Sequence, residues 1–248
     1  MISLKNAQEI AIMREGGKIA ARILNLLQKS AKPGMTTLAL DQIAARELKN
    51  NQAKASFLGL EGYPASICTS INEEVVHGIP SKKILKDGDI LGLDIGIYYQ
   101  GFHTDCAITI PIGKIEYQKK VLIEITKKAL EEGISIIREG MYLGDVQNRI
   151  QTIVEGAGYH IIRDLAGHGI GKNLQEPPSI TNFGKKGTGP ILKAGVTLAI
   201  EPMVSAGDWH IKILDDGWTV VTLDGSLSAH FEDTIAVTKK GVEVLTRE

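Results

Sequence analysis

The 248-residue chain repeats a set of short motifs once, in the same order, and this repeat restricts the folds it can adopt. "PGMTTLALDQIA" from Pro33 resembles "EGMYLGDVQNRI" from Glu139, and "LKDGDILGLD" from Leu85 aligns without a gap on "LKAGVTLAIE" from Leu192. Shorter matches pair "HGIP" with "HGIG" and "TDCAITI" with "FEDTIAVT". The first two pairs are offset by nearly the same distance, 106 residues from Gly34 to Gly140 and 107 from Asp94 to Glu201, and all four keep the same order, so we predict two similar halves, roughly residues 28–112 and 134–238.

Hydrophobic periodicity gives each half the same order of elements. Apolar residues recur at helical spacing in three segments, and the runs that begin at Ile90 and Val196 are typical of strands. The helical positions are Ile12, Ile19, Ile23 and Leu27; Val121, Ile125, Ala129 and Ile136 within 119–137; and Leu143, Val146, Ile150, Ile153 and Ala157. We therefore predict an α+β fold with helices on one face of an antiparallel sheet. Residues 1–248 are expected to form one domain whose halves are related by a pseudo-twofold axis.

Two aspartates interrupt an apolar pattern that otherwise predicts a buried hairpin. Asp94 lies within the apolar run from Ile90, and Asp105 opens the next run. A turn centred between Tyr99 and Gln100 would make the two aspartates cross-strand neighbours, with Cβ atoms about 4.5–5.5 Å apart. Taken alone, a strand aspartate more often caps a turn. Two buried carboxylates at this distance repel each other, so the pattern predicts a cation between them.

The second half supplies three more candidate ligands. Glu201 and Glu232 occupy positions that correspond to Asp94 and Asp105, and His168 lies among glycines in "AGHGIGKNLQEP". A lone histidine is more often structural; here four acids make it a ligand candidate. Two divalent ions would balance four carboxylates, and Mn, Fe, Co and Zn all suit oxygen ligands with one imidazole. Paired ions are a recurrent device for hydrolysis.

Composition excludes several functional classes. The net charge is -1 and charged residues make up 23% of the chain, so nothing favours binding to nucleic acid or to an anionic membrane. No apolar run approaches the roughly 18 residues of a membrane span. Two cysteines, Cys68 and Cys106, without CxxC spacing argue against a disulfide framework. The N-terminal segment lacks the apolar block of a secretory signal, and we expect a cytoplasmic protein.

The candidate ligands lie within recognisable phrases. "NEEVVHGIP", "GFHTD", "GHGIG" and "LAIEPM", with the ligand order D, D, H, E, E, resemble the methionine aminopeptidases. The bacterial type I enzymes are the most similar, from about Ile10 to Leu245. This resemblance implies the pita-bread fold, a curved antiparallel sheet with helices on its outer face. It also implies removal of the initiator methionine from nascent polypeptides when the second residue is small.

The resemblance also implies roles for individual residues. Asp94 and Asp105 would bridge or chelate two metal ions, Glu232 would bridge them, and His168 would bind one. Glu201 would be both a ligand and the acid/base for the attacking water.

Substrate contacts are implied in the same way. His77 would hydrogen-bond the peptide at the scissile bond, although by itself it could be a turn histidine before Gly78. Tyr63, Cys68, Trp218 and Phe57 match the methionine pocket, although core packing is the default for Trp218 alone.

Gln175 departs from the family pattern, which usually places a second histidine seven residues after the metal-binding one. Its amide can donate a hydrogen bond to a substrate carbonyl but cannot carry a proton near neutral pH. We therefore expect altered turnover or an altered pH profile, with the orientation of the transition state retained.

Two other functions remain open at this point. One is a peptidase of the same fold that acts on Xaa-Pro bonds, although such relatives usually carry a large N-terminal domain. The other is a catalytically impaired relative that binds nascent chains or ribosomes, a reading that rests on Gln175 alone. We expect a monomer; proximity to the ribosome is implied only by the resemblance.

Overall fold

The helices predicted from apolar periodicity all form in the computed structural model, which describes residues 2–247. They are α1 (Ala7–Ser30), α3 (Tyr117–Ser135) and α4 (Leu143–Gly156), and α2 (Thr37–Asn50) lies between the first two. Asn6 starts α1 with a capping box, since its side chain accepts the Glu9 N–H while the Glu9 carboxylate accepts the Asn6 N–H. Within residues 2–247, no helix is both long and apolar enough to cross a membrane.

Fifteen strands and one short 3₁₀ helix, Leu60–Gly62, complete the described part of the chain. The strands are β1 (Lys54–Ala55), β2 (Cys68–Ile71), β3 (Glu74–Val76), β4 (Ile90–Tyr99), β5 (Phe102–Pro111), β6 (His160–Ile161), β7 (Ala166–Gly169), β8 (Glu176–Thr181), β9 (Thr197–Ile200), β10 (Met203–Ser205), β11 (Ile211–Ile213), β12 (Val220–Thr222), β13 (Ser228–His230), β14 (Glu232–Thr238) and β15 (Gly241–Val244).

A nine-stranded sheet runs through both halves, with every neighbouring pair antiparallel. Its order is β1, β4, β5, β14, β9, β7, β8, with β2 also paired to β4 and β15 to β14. Two three-stranded sheets, β13-β10-β6 and β11-β12-β3, lie beside it. The predicted α+β class is confirmed.

Matched backbone hydrogen bonds confirm the internal repeat. Gly34 N–H donates to the carbonyl of Leu85 at 2.8 Å, and Gly140 N–H donates to that of Leu192 at 2.8 Å. Both glycines adopt nearly the same left-handed conformation, with φ of +87° and +86°. Glycine is the residue best suited to that conformation, which accounts for the Gly-Met phrase in each half. The exact bounds of the halves and the single-domain organisation stay predictions.

The register predicted for the β4–β5 hairpin was wrong. Gln100 and Gly101 both have positive φ, +46° and +93°, and form a two-residue turn between Tyr99 and Phe102. The centre of the turn therefore lies one residue later than expected.

This shift changes the partners of the two aspartates. Asp94 lies opposite Ala107, and Asp105 lies opposite Gly96. They are diagonal neighbours on one face of the hairpin and remain close enough for their side chains to interact.

Side chains along β4 point alternately into the core and towards the inner face of the sheet. Leu91, Leu93, Ile95 and Ile97 are fully buried against α1 and α2, in a cluster that includes Ile19, Ile23 and Leu27. The intervening residues Gly92, Asp94 and Gly96 point to the opposite face. A second cluster joins α3 and α4 to β9 and β14, so the helices cover the outer face of both halves.

The halves are joined where β5 meets β14. Only two residue pairs form a regular ladder there: Ala107 opposite Glu232, and Cys106 opposite Asp233. The backbones separate on both sides of this short ladder, and the gap is filled by side-chain hydroxyls.

Two threonines bridge that gap. Thr234 Oγ1 accepts the Asp105 N–H at 2.8 Å and donates to the Asp105 carbonyl at 2.8 Å. On the other side, Thr109 Oγ1 accepts the His230 N–H and donates to the His230 carbonyl, both at 2.9 Å. The threonines thus satisfy buried backbone groups that a regular ladder would have paired.

Replacing Thr234 by valine tests this junction, since valine keeps the shape and removes the hydroxyl. The buried Asp105 N–H loses its acceptor, so we expect the free energy of unfolding in urea to fall by about 1–3 kcal/mol. Thr152→Val is the matched control, because Thr152 is exposed on α4 and its hydroxyl bonds only the Asn148 carbonyl. This substitution should change the free energy of unfolding by less than about 0.5 kcal/mol. Equal stability of the two variants would contradict a structural role for the hydroxyl bridge.

Candidate metal centre and substrate cavity

A row of paired residues across the sheet brings acids from both halves together. Cys68 lies opposite Asp94, Asp94 opposite Ala107, and Ala107 opposite Glu232. Directly paired residues share a face of the sheet, and so does Asp105, two residues before Ala107. Three of the predicted ligands therefore line the inner face around the junction.

Glu201 and His168 reach the same place from β9 and β7. Glu201 directly follows β9, whose pairing with β14 puts it beside Glu232. His168 lies opposite Ala199, two residues before Glu201, and therefore on the same face. The His168 Nε2 atom is 3.6 Å from Oε1 of Glu201.

A cavity of about 650 Å³ contains every site residue predicted from the sequence. Those residues are Phe57, Tyr63, Cys68, His77, Asp94, Asp105, His168, Gln175, Glu201, Trp218 and Glu232. The structure thus brings all the candidates together, while their individual roles stay predictions.

The four carboxyl groups of the cavity destabilise one another when all are charged. Burial is the main cause that raises their pKa values, and the charge of Asp105 raises those of Asp94, Glu201 and Glu232 further. Burial raises the pKa of Asp105 itself to about 7. Without a cation, protons would have to neutralise part of this cluster at neutral pH.

Several buried polar atoms in the cluster lack a partner. Within residues 2–247, Oδ1 of Asp94, Oδ1 of Asp105, Oε1 of Glu232 and Nε2 of His230 have no hydrogen-bond partner. Buried polar groups are nearly always paired, so these atoms need an explanation. A divalent cation supplies one, because carboxylate oxygens and imidazole nitrogen are ligands for Mn, Fe, Co and Zn. The residues present therefore fit a metal centre.

His168 is oriented for metal binding. Its Nδ1 lies 2.9 Å from the carbonyl oxygen of Gly169. A carbonyl can only accept, so Nδ1 carries the proton and Nε2 keeps a free lone pair on the side of Glu201. Metal-binding histidines commonly use the second ring nitrogen in this way.

Two groups of side chains have ligand atoms close enough to share an ion. One consists of Asp105, His168 and Glu232, and the other of Glu201, His230 and Glu232; in each, the ligand atoms lie within 4.8 Å of one another. Glu232 belongs to both groups, which is the position expected of a bridging carboxylate.

His77 occupies a strained backbone position at the cavity wall. Its φ is +60°, a left-handed conformation that few non-glycine residues adopt. Next to it, a Cβ on Gly78 would lie 2.3 Å from the carbonyl oxygen of Thr69, so only glycine fits. Burial lowers the pKa of His77, which keeps the ring neutral and able to donate one hydrogen bond.

Aromatic rings form the apolar end of the cavity. Tyr63 packs edge-on against Trp218 at 5.1 Å and against Phe57 at 6.4 Å between ring centroids. The Tyr63 hydroxyl shares its one proton between the carbonyl oxygens of Ile67 and Gly78, 3.1 and 3.2 Å away. The ring is therefore fixed in place and forms a firm apolar wall beside the carboxylates.

Gln175 lies at the edge of the cavity with an exposed side chain. The next residue, Glu176, is held by the buried Lys5 ammonium at 2.6 Å. This ion pair fixes the loop that carries Gln175.

Sequence reasoning missed two histidines of the site. His230 is buried, with Nε2 3.7 Å from Glu201 Oε2 and 3.9 Å from Glu232 Oε2. Its position two residues before Glu232 was the available signal, because alternate residues of an extended chain share a face. His103 also lines the cavity, where its Nδ1 lies 2.8 Å from the Ser56 hydroxyl.

Comparison with known proteins agrees with this geometry. The model of metallopeptidase family M24 matches residues 11–239. The methionine aminopeptidase of Clostridium perfringens is 48% identical over 246 residues, 99% of each chain. Methionine aminopeptidase 1 of Bacillus subtilis is 47% identical over 247 residues, 100% of each chain.

Solved structures extend the comparison to the fold. The crystal structure of methionine aminopeptidase from Thermotoga maritima superposes with a TM-score of 0.99, at 45% identity over 100% of both chains. The Xaa-Pro dipeptidase of Bacillus anthracis shares the fold alone, with a TM-score of 0.77 at 22% identity, and this chain covers 62% of its length. The predicted pita-bread fold is confirmed.

The family model spans most of the sequence, and the relatives align from end to end. The same chain folds a cluster of acids and histidines into one cavity. The protein belongs to metallopeptidase family M24.

Proposed function

We propose that the protein is a methionine aminopeptidase that removes the initiator methionine from nascent proteins when the second residue is small. The observation that carries this proposal is a single cavity in which a fixed aromatic pocket adjoins a cluster of metal-binding groups. The names of the full-length relatives, at 47–48% identity, support the same substrate.

The proposed cofactor is a pair of divalent ions, drawn from Co, Mn, Fe or Zn. Asp94, Asp105, His168, Glu201 and Glu232 are the proposed ligands, supported by their shared face and by the unpaired oxygens. Four carboxylates then meet four positive charges, which offset the cost of burying them and their mutual repulsion. When bound, such a pair supplies an activated water and polarises the carbonyl under attack.

Glu201 is proposed as the acid/base of the reaction. It takes a proton from the attacking water and returns it to the leaving amine, the role of a positioned carboxyl group within the site. His77 donates a hydrogen bond at the scissile peptide and stabilises the oxygen that becomes charged in the tetrahedral intermediate. Gln175, at the exposed edge of the cavity, donates a second hydrogen bond.

The methionine side chain is proposed to enter the pocket formed by Phe57, Tyr63, Cys68 and Trp218. An unbranched thioether fits a narrow apolar space and makes favourable contacts with aromatic rings. Burial raises the pKa of Cys68, so its thiol stays neutral and acts as a small apolar wall.

Cleavage of Xaa-Pro bonds is the second candidate. Only the shared fold supports it, because the Xaa-Pro dipeptidase that superposes on this chain is 22% identical. A catalytically impaired peptide-binding relative is the third, and Gln175 is the feature that favours it.

Substrate class also leads us to propose a cytoplasmic monomer that works close to the ribosome.

Release of free methionine from Met-Ala-Ser tests the proposal. Chelator-stripped protein should be inactive, and Mn, Co, Fe or Zn added singly should restore release from Met-Ala-Ser but not from an Xaa-Pro peptide. Glu201→Gln should lower kcat by about 10²–10⁴-fold, the usual contribution of a positioned acid/base. Exposed Glu155→Gln serves as its control. Cleavage of the Xaa-Pro peptide alone would support the second candidate, and metal binding without release would support the third.

Two tryptophans allow a matched test of the methionine pocket. Trp218→Ala should lower kcat/KM for Met-Ala-Ser by about 10–200-fold, the range for apolar contacts in a specificity pocket. Trp209→Ala removes a ring that stacks on His210 at 3.8 Å outside the cavity, and it should leave kcat/KM unchanged. If both variants behave alike, Trp218 does not contact the substrate.

Substitutions of Gln175 measure how its difference from the usual histidine affects kcat and the pH profile. Gln175→His should raise kcat and add a limb to the pH profile near the ordinary histidine pKa of about 6.5. Gln175→Ala removes the hydrogen-bond donor and should lower kcat below the wild-type value. The hypothesis fails if Gln175→His changes neither kcat nor the pH profile.

A further inference from the structure

His230 is the one imidazole of the acidic cluster, among the described residues, that the proposed reaction leaves without a role. Its side chain is only 5% exposed, and its Nε2 atom is among the buried atoms without a hydrogen-bond partner. This unpartnered nitrogen faces the carboxyl groups of Glu201 and Glu232.

The backbone of His230 is fixed on two sides. Thr109 bridges its N–H and its carbonyl to β5, and β10 pairs with it through Met203. The backbone of His230 is thus fixed, and the ring it carries is buried beside Glu201 and Glu232. Its position beside them is therefore a built feature of the junction between the halves.

The distances are those of ligands that share an ion. Nε2 of His230 lies 3.7 Å from Glu201 Oε2 and 3.9 Å from Glu232 Oε2, too far for a hydrogen bond to either. Two donors that are each about 2.1 Å from one ion are at most about 4.2 Å apart. His168 Nε2 and Glu201 Oε1, at 3.6 Å, have a similar spacing.

We propose that His230 is a further metal ligand, and that it binds one ion together with Glu201 and Glu232. This inference rests on the proposed two-metal function. His168 belongs to the other group of candidate ligands, together with Asp105 and Glu232. A second nitrogen ligand shifts the preference of the site from Mn towards Co and Zn.

Cobalt binding to the chelator-stripped full chain tests this assignment without any assay of activity. Isothermal titration of wild-type protein should give two bound Co ions. In His230→Gln, one of the two should bind more weakly by at least about 10–100-fold, because loss of even an indirect metal contact costs that much. His160→Gln, at an exposed histidine on β6, should retain both affinities.

The number of metal-bound imidazoles can also be counted in the wild type, so the test does not depend only on a variant that folds. With ¹⁵N-labelled histidine, cobalt-loaded protein should show two strongly contact-shifted imidazoles, one of which disappears in His230→Gln. A single shifted imidazole, with two ions bound at unchanged affinity in His230→Gln, would overturn the assignment and leave the two-metal proposal intact. Failure of the wild type to bind two ions would overturn both.

Discussion

The short contact between β5 and β14 is the feature on which the site depends. A full ladder would hold the two halves as one flat surface, whereas two regular pairs flanked by threonine hydroxyls let the strands separate. The same contact brings Asp105 and Glu232 onto one face from opposite halves of the chain. Fold and site therefore share one structural element, and neither half contains a complete metal centre.

The second constraint is electrostatic. Four buried carboxylates with raised pKa values oppose folding in their charged state, so a cation bound among them would also stabilise the fold. Rigid strands and fully buried apolar neighbours hold the acids in place against their repulsion. The well-packed core therefore holds in place a group of carboxylates that repel one another.

The repeat, the helices and the inner-face acids could be predicted from the sequence because each depends on local pattern. Periodicity predicted α1, α3 and α4, and the gapless match between "LKDGDILGLD" and "LKAGVTLAIE" related Asp94 to Glu201. The register of the β4–β5 hairpin was wrong, because it depends on the left-handed conformations of Gln100 and Gly101. Sequence spacing alone does not reveal which two residues take that turn.

Contacts between residues far apart in the sequence were the other feature that could not be predicted. His230 joins the cluster only through the pairing of β13 with β10 and the Thr109 bridge, contacts that span large sequence separations. The neighbouring Glu232 was identifiable because its phrase matches one in the first half. The spacing of His230 and Glu232 in "SAHFED" indicates a shared face, but only the tertiary contacts show that the ring lies against the acids of both halves.

The two hydrogen bonds of the Tyr63 hydroxyl have a further consequence. They tie the aromatic wall to the Gly78 carbonyl, one residue after the strained His77. The aromatic wall and His77 are therefore linked through the backbone of Gly78, so a displacement of one affects the position of the other. If the proposed function is correct, a side chain that fills the pocket poorly should leave His77 less well positioned and lower turnover as well as binding.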